Sequence, residues 1–501
     1  MRSRGSLAVE KPSSRSRKSL SVLFTLDGKG VLVDQLVRAL RIEIAKAQPG
    51  TRLPPTRDLA KELGVSRNTV TTAYSELVNE GCIVSRFGAG SVVAERLAGK
   101  PAAAAPTTHA ATPAPVLSHF ARRLRSLEPS PILERPELKY DFRYGLPVTD
   151  DFPFSKWSRI VARRATVSAT SNIGYGHPGG YPALRTEIAE YLARARGIQC
   201  RPDDIVITNG SQQALDLIAR LLIDPEDGVV IEEPHFEGAR EAFAAAGARI
   251  IAVPVDKDGL QTAKLPGASA HCRAVYVTPS HQFPTGAILS ATRRRELLDW
   301  AGEHNAFVVE DDYDAELRYD VRPQASIKAV DSGDRVIYVG TMSKVLFPSL
   351  RIGYIVSPRH LLPSLLAAKH VCDRQTPLLL QSSLSDFISQ GHFDRYLVEQ
   401  KRLCGRKRAA FMRAVDECLG EHVTVQGISA GIHALVWLNK RTSCDVPKLI
   451  DAAAQAGVGI YPVTPYFLHA PRKAGLLLGY ASMEEALIRE GIERLARVVR
   501  G

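Results

Sequence analysis

At 501 residues the chain exceeds what one ordinary hydrophobic core organises, so a small domain joined to a larger, multi-lobed one is expected. Apolar residues at 45% and charged residues at 24% exclude a disordered or fibrous chain. The net charge of +12 is concentrated at the front: residues 1–100 hold 17 Lys and Arg against 9 Asp and Glu, and the rest holds 48 against 44, which points to an anionic partner for the N-terminal fifth, DNA above all.

Residues 1–25, with Arg2, Arg4, Lys11, Arg15, Arg17 and Lys18, read as a flexible basic tail; no apolar segment follows that would make it a secretion signal. From Val31 to Ala47 apolar residues recur at helical spacing (Val31, Leu32, Leu36, Leu40, Ile44), which predicts a first helix. Thr56 to Leu63 forms a short second helix, Gly64 and Val65 turn the chain, and Ser66 caps a third helix that runs through Asn79, the spacing of a helix-turn-helix. On that third helix Val70, Ala73, Tyr74 and Leu77 line one face and Arg67, Asn68, Thr71, Thr72 and Ser75 the other, with no carboxylate between Ser66 and Ser75. A merely solvated face would mix Glu with Lys, so this one is read as facing phosphates and base edges. Cys82 to Ala94 then makes two extended segments around a tip with Gly88 and Gly90, a hairpin wing on which Arg86 is placed for a phosphate or groove contact.

The stretch from Thr51 through Leu63, Gly64-Val-Ser-Arg-Asn-Thr-Val included, resembles the signature of the GntR family of winged-helix regulators over residues 26–95. The resemblance implies that Arg57, Ser66, Arg67, Asn68 and Thr69 contact the operator, beside Thr72 on the same helix face, with Gly88 at the wing tip; Thr71 stands where that family often has another Arg.

Residues 96–136, rich in Ala, Pro and Thr, read as a linker. Beyond it, short β-branched runs (Ile205-Val-Ile-Thr, Val229-Val-Ile, Ile250-Ile-Ala-Val, Ala274-Val-Tyr-Val, Phe307-Val-Val, Val336-Ile-Tyr-Val) alternate with helical patterns, which predicts an α/β domain over 137–501 with a mostly parallel sheet covered on both faces. Its large lobe is expected over about 170–380, and Arg/Leu-rich helical stretches suggest a smaller lobe over about 385–501. The seven cysteines (Cys82, Cys200, Cys272, Cys372, Cys404, Cys418, Cys444) form no C-x-x-C pair, which fits a reducing cytoplasm and no zinc site.

Four strand ends in this domain carry the groups that a phosphorylated pyridine aldehyde requires, and open α/β sheets bind ligands at the carboxyl ends of their strands. After Ile205-Val-Ile-Thr, the turn Asn209-Gly210 leaves the Ser211 and Gln212 amides at a helix start, free to hold an anion. Val308-Val-Glu-Asp-Asp-Tyr-Asp ends a strand in carboxylates: Asp311 could keep a pyridine nitrogen protonated and Tyr313 could bond the ring oxygen, the alternative being an acidic turn or a magnesium site. After Val336-Ile-Tyr-Val come Thr341, Ser343, Lys344 and Arg351, hydroxyls and a guanidinium suited to phosphate around an amine suited to a Schiff base. Thr278-Pro-Ser-His-Gln-Phe-Pro-Thr-Gly brings His281 and Gln282 to the same rim, and Glu233-Pro-His-Phe offers Phe236 for stacking on the ring.

Together these residues resemble fold-type I pyridoxal 5′-phosphate (PLP) enzymes, the aspartate aminotransferase superfamily, over about 138–501, and the resemblance makes Lys344 the Schiff-base lysine. It also implies that Tyr175, in Tyr-Gly-His-Pro-Gly-Gly, reaches the phosphate of a neighbouring subunit in a homodimer. With the GntR-like front end, the whole chain looks like a MocR-type regulator, in which PLP itself is the effector, as in PdxR-type members, or PLP meets an amino compound. Two departures from the aminotransferase pattern bear on activity. Phe283-Pro-Thr-Gly replaces the usual Asn-Pro-x-Gly, and Leu476-Leu-Leu-Gly-Tyr-Ala puts Leu477 where aminotransferases carry the Arg that clamps the substrate α-carboxylate, with Arg472 or Lys473 as nearby substitutes. A regulator without turnover is therefore expected, the alternative being an active aminotransferase with an accessory DNA-binding domain.

Overall fold

The computed structural model describes residues 26–86, 90–94, 116–125, 127, 138–171, 174–314, 316–319, 324–439 and 445–500. The chain divides into two compact units, residues 1–115 and 116–501.

In the first unit, helices α1 (Leu32–Lys46), α2 (Thr56–Leu63) and α3 (Arg67–Asn79) precede a hairpin of β1 (Ile83–Arg86) and β2 (Gly90–Val93). The apolar stripe of α1 meets Leu59, Val70, Ala73, Leu77, Ile83 and Val93 in one core. Gly64, at φ 64°, takes the left-handed conformation that ends α2 and turns the chain into α3. The Ser66 hydroxyl accepts from the Thr69 amide at 3.1 Å and caps α3, while the Tyr74 hydroxyl donates to the Pro54 carbonyl at 2.8 Å and ties α3 to the segment before α2.

The second unit opens with α4 (His119–Arg125), inside the stretch expected to be linker. Its Arg123 donates to the Ala245 carbonyl at 2.8 Å, so a basic side chain attaches to the folded body what composition suggested was loose. There follow β3 (Tyr140–Asp141), α5 (Phe154–Ser171), α6 (Pro182–Arg196), β4 (Ile205–Thr208), α7 (Ser211–Leu222), β5 (Gly228–Glu233), α8 (Glu237–Ala246), β6 (Arg249–Asp256), β7 (Gly259–Leu260), β8 (Cys272–Val277), α9 (Ala291–Glu303), β9 (Phe307–Asp312), β10 (Val336–Thr341) and β11 (Gly353–Val356). Eight of these strands form one sheet in the order β4-β11-β10-β9-β8-β5-β6-β7. Strands β10, β9, β8, β5 and β6 are parallel neighbours, and β11 runs antiparallel between β10 and β4. Therefore β4 points the same way as β5, β8, β9 and β10, and their carboxyl ends share one edge. The strands are continuously apolar because both faces are covered, one by a core that includes Leu215, Ile218 and Phe243, the other by cores with Leu184, Ile188 and Leu297.

Helices α10 (Leu362–Asp373), α11 (Leu378–Ser389) and α12 (His392–Cys418) lead into the smaller lobe, which comprises β12 (Val423–Gln426), β13 (His433–Leu438), α13 (Val446–Gln455), β14 (Val458–Gly459), β15 (Tyr461–Pro462), β16 (Gly475–Gly479) and α14 (Glu485–Arg500). This lobe is not only helical, as the Arg/Leu-rich stretches suggested: β12, β13, β16 and β15 make an antiparallel sheet. It also takes in chain from far upstream, since β3 pairs with β14 and Tyr140 and Phe142 are buried in its core. Among the described residues no helix is long and apolar enough to cross a membrane.

Candidate functional site

The common edge of strand ends opens into a cavity of about 400 Å³ lined by residues from both lobes. Of the residues that sequence reasoning singled out, Ser211, Gln212, Phe236, Asp311, Tyr313, Thr341, Ser343, Lys344 and Arg351 line it. They come from the ends of β4, β5, β9 and β10, which share a direction, and, for Arg351, from the segment before the antiparallel β11, which starts at the same edge.

The Lys344 ammonium donates to the Gly145 carbonyl at 2.7 Å. Burial lowers its pKa below that of an ordinary lysine and Arg351 adds to the effect, against the pull of Asp314 and Asp311. Gly145 is required there: its φ is +80°, and a Cβ would sit 2.9 Å from the lysine nitrogen. Asp311 is 3% exposed. One of its oxygens accepts from the Tyr276 hydroxyl at 2.8 Å, and the other, buried, has no hydrogen-bond partner among the described residues. Burial pushes its carboxyl up to about 7, although the Tyr276 bond pulls it down. The neighbouring carboxylates of β9 serve other ends. Glu310 accepts from Ser326 and the Ile327 and Lys328 amides, Asp312 pairs with Arg196 at 2.8 Å and accepts from Tyr338, and no group of three His, Cys, Asp or Glu able to hold a metal occurs among the described residues.

At the phosphate end, Arg351 adopts φ 52° and donates to the Asn209 carbonyl at 2.8 Å. It lies so close to Gly210 that a Cβ there would meet the guanidinium at 2.9 Å. Ser211 and Gln212 open α7, and the buried Ser343 hydroxyl has no partner among the described residues. A helix N-terminus, a guanidinium and an unpaired hydroxyl make a cradle for a phosphate dianion. An unpaired buried carboxylate oxygen fits a protonated pyridine nitrogen. The residues present therefore suit PLP, on the strength of polar atoms that the protein itself leaves unsatisfied.

His281 and Gln282 are not part of the cavity wall. His281 is buried with Nδ1 2.8 Å from Asp314 and 3.1 Å from the Tyr313 hydroxyl, and Nε2 3.2 Å from the Gly427 carbonyl. Burial disfavours its proton, but the Asp314 carboxylate and the Gly427 carbonyl outweigh this and raise its pKa. Gln282 donates to the Pro234 carbonyl at 2.7 Å and accepts from Thr285. Both support the wall, His281 through Tyr313, because the loop after β8 folds back under the small lobe. Tyr175 is 87% exposed and lies outside the cavity. Leu477 is fully buried on β16, packed with Phe283 and Tyr466, while Arg472 and Lys473 are exposed and absent from the wall.

Sequence reasoning passed over Tyr144, Gly145, Glu237, Glu241, Tyr276, His433 and Tyr466, all lining residues. Only Tyr276, within the Ala274-Val-Tyr-Val strand, carried a signal, being a polar ring in a fully buried run.

On the first unit Arg57, Ser66, Arg67, Asn68 and Thr72 are exposed and Thr69 is half-buried, its hydroxyl 2.8 Å from that of Ser66. The Thr72 hydroxyl donates to the Asn68 carbonyl one turn back. Arg86 ends β1 opposite Gly90, and Gly88 lies outside the described residues.

Two family models match the chain: bacterial regulatory proteins of the gntR family over residues 32–93, and aminotransferase class I and II over residues 151–495. The chain is 37% identical to the probable rhizopine catabolism regulatory protein MocR of Rhizobium meliloti, over 92% of each chain. It is 29% identical to the pyridoxine biosynthesis transcriptional regulator PdxR of Corynebacterium glutamicum, over 91% of this chain and 93% of that one. The kynurenine aminotransferase of Pyrococcus horikoshii, solved with the PLP-derived cofactor PMP, superposes with a TM-score of 0.70 at 30% identity, covering 77% of this chain and 96% of its own. The fold and site thus define a winged-helix regulator joined to a fold-type I aminotransferase domain, whose family binds PLP. The chain belongs to the MocR-type group of gntR-family regulators.

Proposed function

We propose that this protein is a transcription regulator that binds an operator through α3 and the wing, holds PLP at Lys344, and alters operator binding according to what occupies that cavity. The observation that carries the reading is the pairing, in one chain, of a gntR-type helix-turn-helix with a cavity lined by a lysine of lowered pKa and by a buried Asp311 whose second oxygen has no partner among the described residues. When bound, PLP supplies an aldehyde that condenses reversibly with a primary amine. Lys344 would supply that amine and Asp311 would hold the proton on the ring nitrogen. Tyr313 would hydrogen-bond the ring oxygen, Phe236 would pack on the ring, and Arg351, Thr341, Ser343, Ser211 and Gln212 would bind the phosphate. Tyr175, with its ring in solvent, is available to reach the phosphate of a second copy, which supports a homodimer. Arg57, Arg67, Asn68 and Thr72, with Ser66, Thr69, Arg86 and Gly88, are assigned to the operator, and DNA as the partner supports a cytoplasmic location. Coupling requires that the cavity's ligand bind two arrangements of the protein with different affinities.

The test is operator footprinting and affinity for the wild type and Lys344→Ala, each with and without PLP. A PLP-dependent change in the wild type alone is expected; equal operator affinity in all four samples contradicts the reading. The likeness to aminotransferases of 30% identity favours a second reading, turnover of amino acids, against which Leu477 stands. Loss of cofactor absorbance on adding common amino acids would support it.

A further inference from the structure

Charge is distributed unevenly around the cavity. Of its lining residues only Lys344 and Arg351 are lysine or arginine, and the reading above commits both to the cofactor. Against them stand Asp311, committed to the ring, and two further carboxylates, Glu237 and Glu241, one turn apart on the same face of α8. Arg240 lies 3.7 Å from Glu237 and acts on Glu241 as well, one guanidinium against the two carboxylates of α8. The position that would supply a carboxylate clamp is Leu477, fully buried behind Phe283 and Tyr466.

The rest of the wall suits a cation. Tyr144, Phe283 and Tyr466 meet with ring centroids 5.1 to 6.1 Å apart, and the Tyr144 and Tyr466 hydroxyls bond each other. Such rings attract an ammonium through their faces. His433, 2% exposed, lines the same space, and its Nε2 has no partner among the described residues. Burial, with His281 and Lys344 nearby, keeps that imidazole neutral, so it can hydrogen-bond an amine but cannot supply the charge a carboxylate needs. An incoming carboxylate would be desolvated beside Glu237 and Glu241 with no free cation to receive it, a repulsive element that discriminates against amino acids.

We propose that the effector of this cavity is a diamine without an α-carboxylate, one amine meeting the cofactor and the second, as ammonium, received by Glu241 across the aromatic wall. The inference rests on the reading that the cavity holds PLP.

The PLP-loaded, full-length protein is titrated with putrescine and cadaverine, with ornithine and lysine, which add only the α-carboxylate, and with butylamine, which lacks the second ammonium. Binding is followed by cofactor absorbance and by calorimetry. A diamine should half-saturate at a concentration roughly tenfold or more below the others. In Glu241→Gln the diamine should fall to within about threefold of butylamine while butylamine is unchanged. Ornithine or lysine binding as well as its diamine, or an unaltered diamine response in Glu241→Gln, overturns the proposal. A wild-type chain that never takes up PLP overturns this inference and the proposed function together, whereas one that takes it up and prefers the amino acids overturns only this inference.

Discussion

Lys344 and Asp311 are opposite consequences of one environment: burial makes the lysine easier to deprotonate and the aspartate harder. For Asp311 this has a defined pH signature in the cofactor-free protein. Its carboxyl is pushed up to about 7 in the fold, against about 3.9 in an unfolded chain. The folded state therefore binds the proton more tightly, and the stability this contributes is fully present below about pH 4 and lost as pH rises through 7. Asp311→Asn does not titrate, so its melting temperature should gain on that of the wild type between pH 5 and pH 8 and match it most closely at the acid end. The same substitution should weaken PLP binding more than about tenfold, because the ring nitrogen loses its anionic partner. Gly145→Ala should destabilise the fold by more than about 1 kcal/mol and reduce cofactor uptake, since the new methyl meets the Lys344 nitrogen at a backbone angle that disfavours any side chain. Thermal melts of the apo protein with PLP absorbance check both substitutions.

At the scale of elements, α3 has one buried and one polar face, and its start depends on a single hydroxyl. Ser66→Ala should cost about 1 kcal/mol of stability, read by denaturant melts, and weaken operator binding because the residues that follow the cap are those proposed to meet the DNA. Arg67→Ala should lower operator affinity and reduce the slope of log affinity against log salt by about 1 if the guanidinium meets a phosphate. The three helices of this unit were legible to within a residue, because each buries one apolar stripe, α2 ends at a left-handed Gly and α3 starts at a capping Ser. The sheet of the small lobe was not. β12 and β16 are short, and Gly475-Leu-Leu-Leu-Gly has neither the alternation of a half-exposed strand nor the β-branching that marks the large sheet. Residues 119–125 escaped as helix because the Ala/Pro-rich composition around them dominates the window.

For the whole molecule, the residues proposed for the operator and those proposed for the cofactor fall in separate compact units. Sedimentation should find a dimer, and Tyr175→Phe should weaken PLP binding in that dimer while leaving the apo melting temperature within about 1 kcal/mol equivalent, as for an exposed residue. The amino-acid sequence by itself determined the winged helix, the parallel sheet and the cluster around Lys344, because helical periodicity, β-branched runs and strand-end motifs are local and each is written within about twenty residues. Tertiary structure alone decided the other half of the cavity. Tyr144, Glu237, His433 and Tyr466 stand far apart in the chain without a shared pattern, and they meet only because the small lobe packs over the strand ends. The same packing turned His281 from the rim into its support, through Gly427, 146 residues away, while Gln282 is drawn off by Pro234 of the large lobe, 48 residues upstream, and no local spacing encodes either bond.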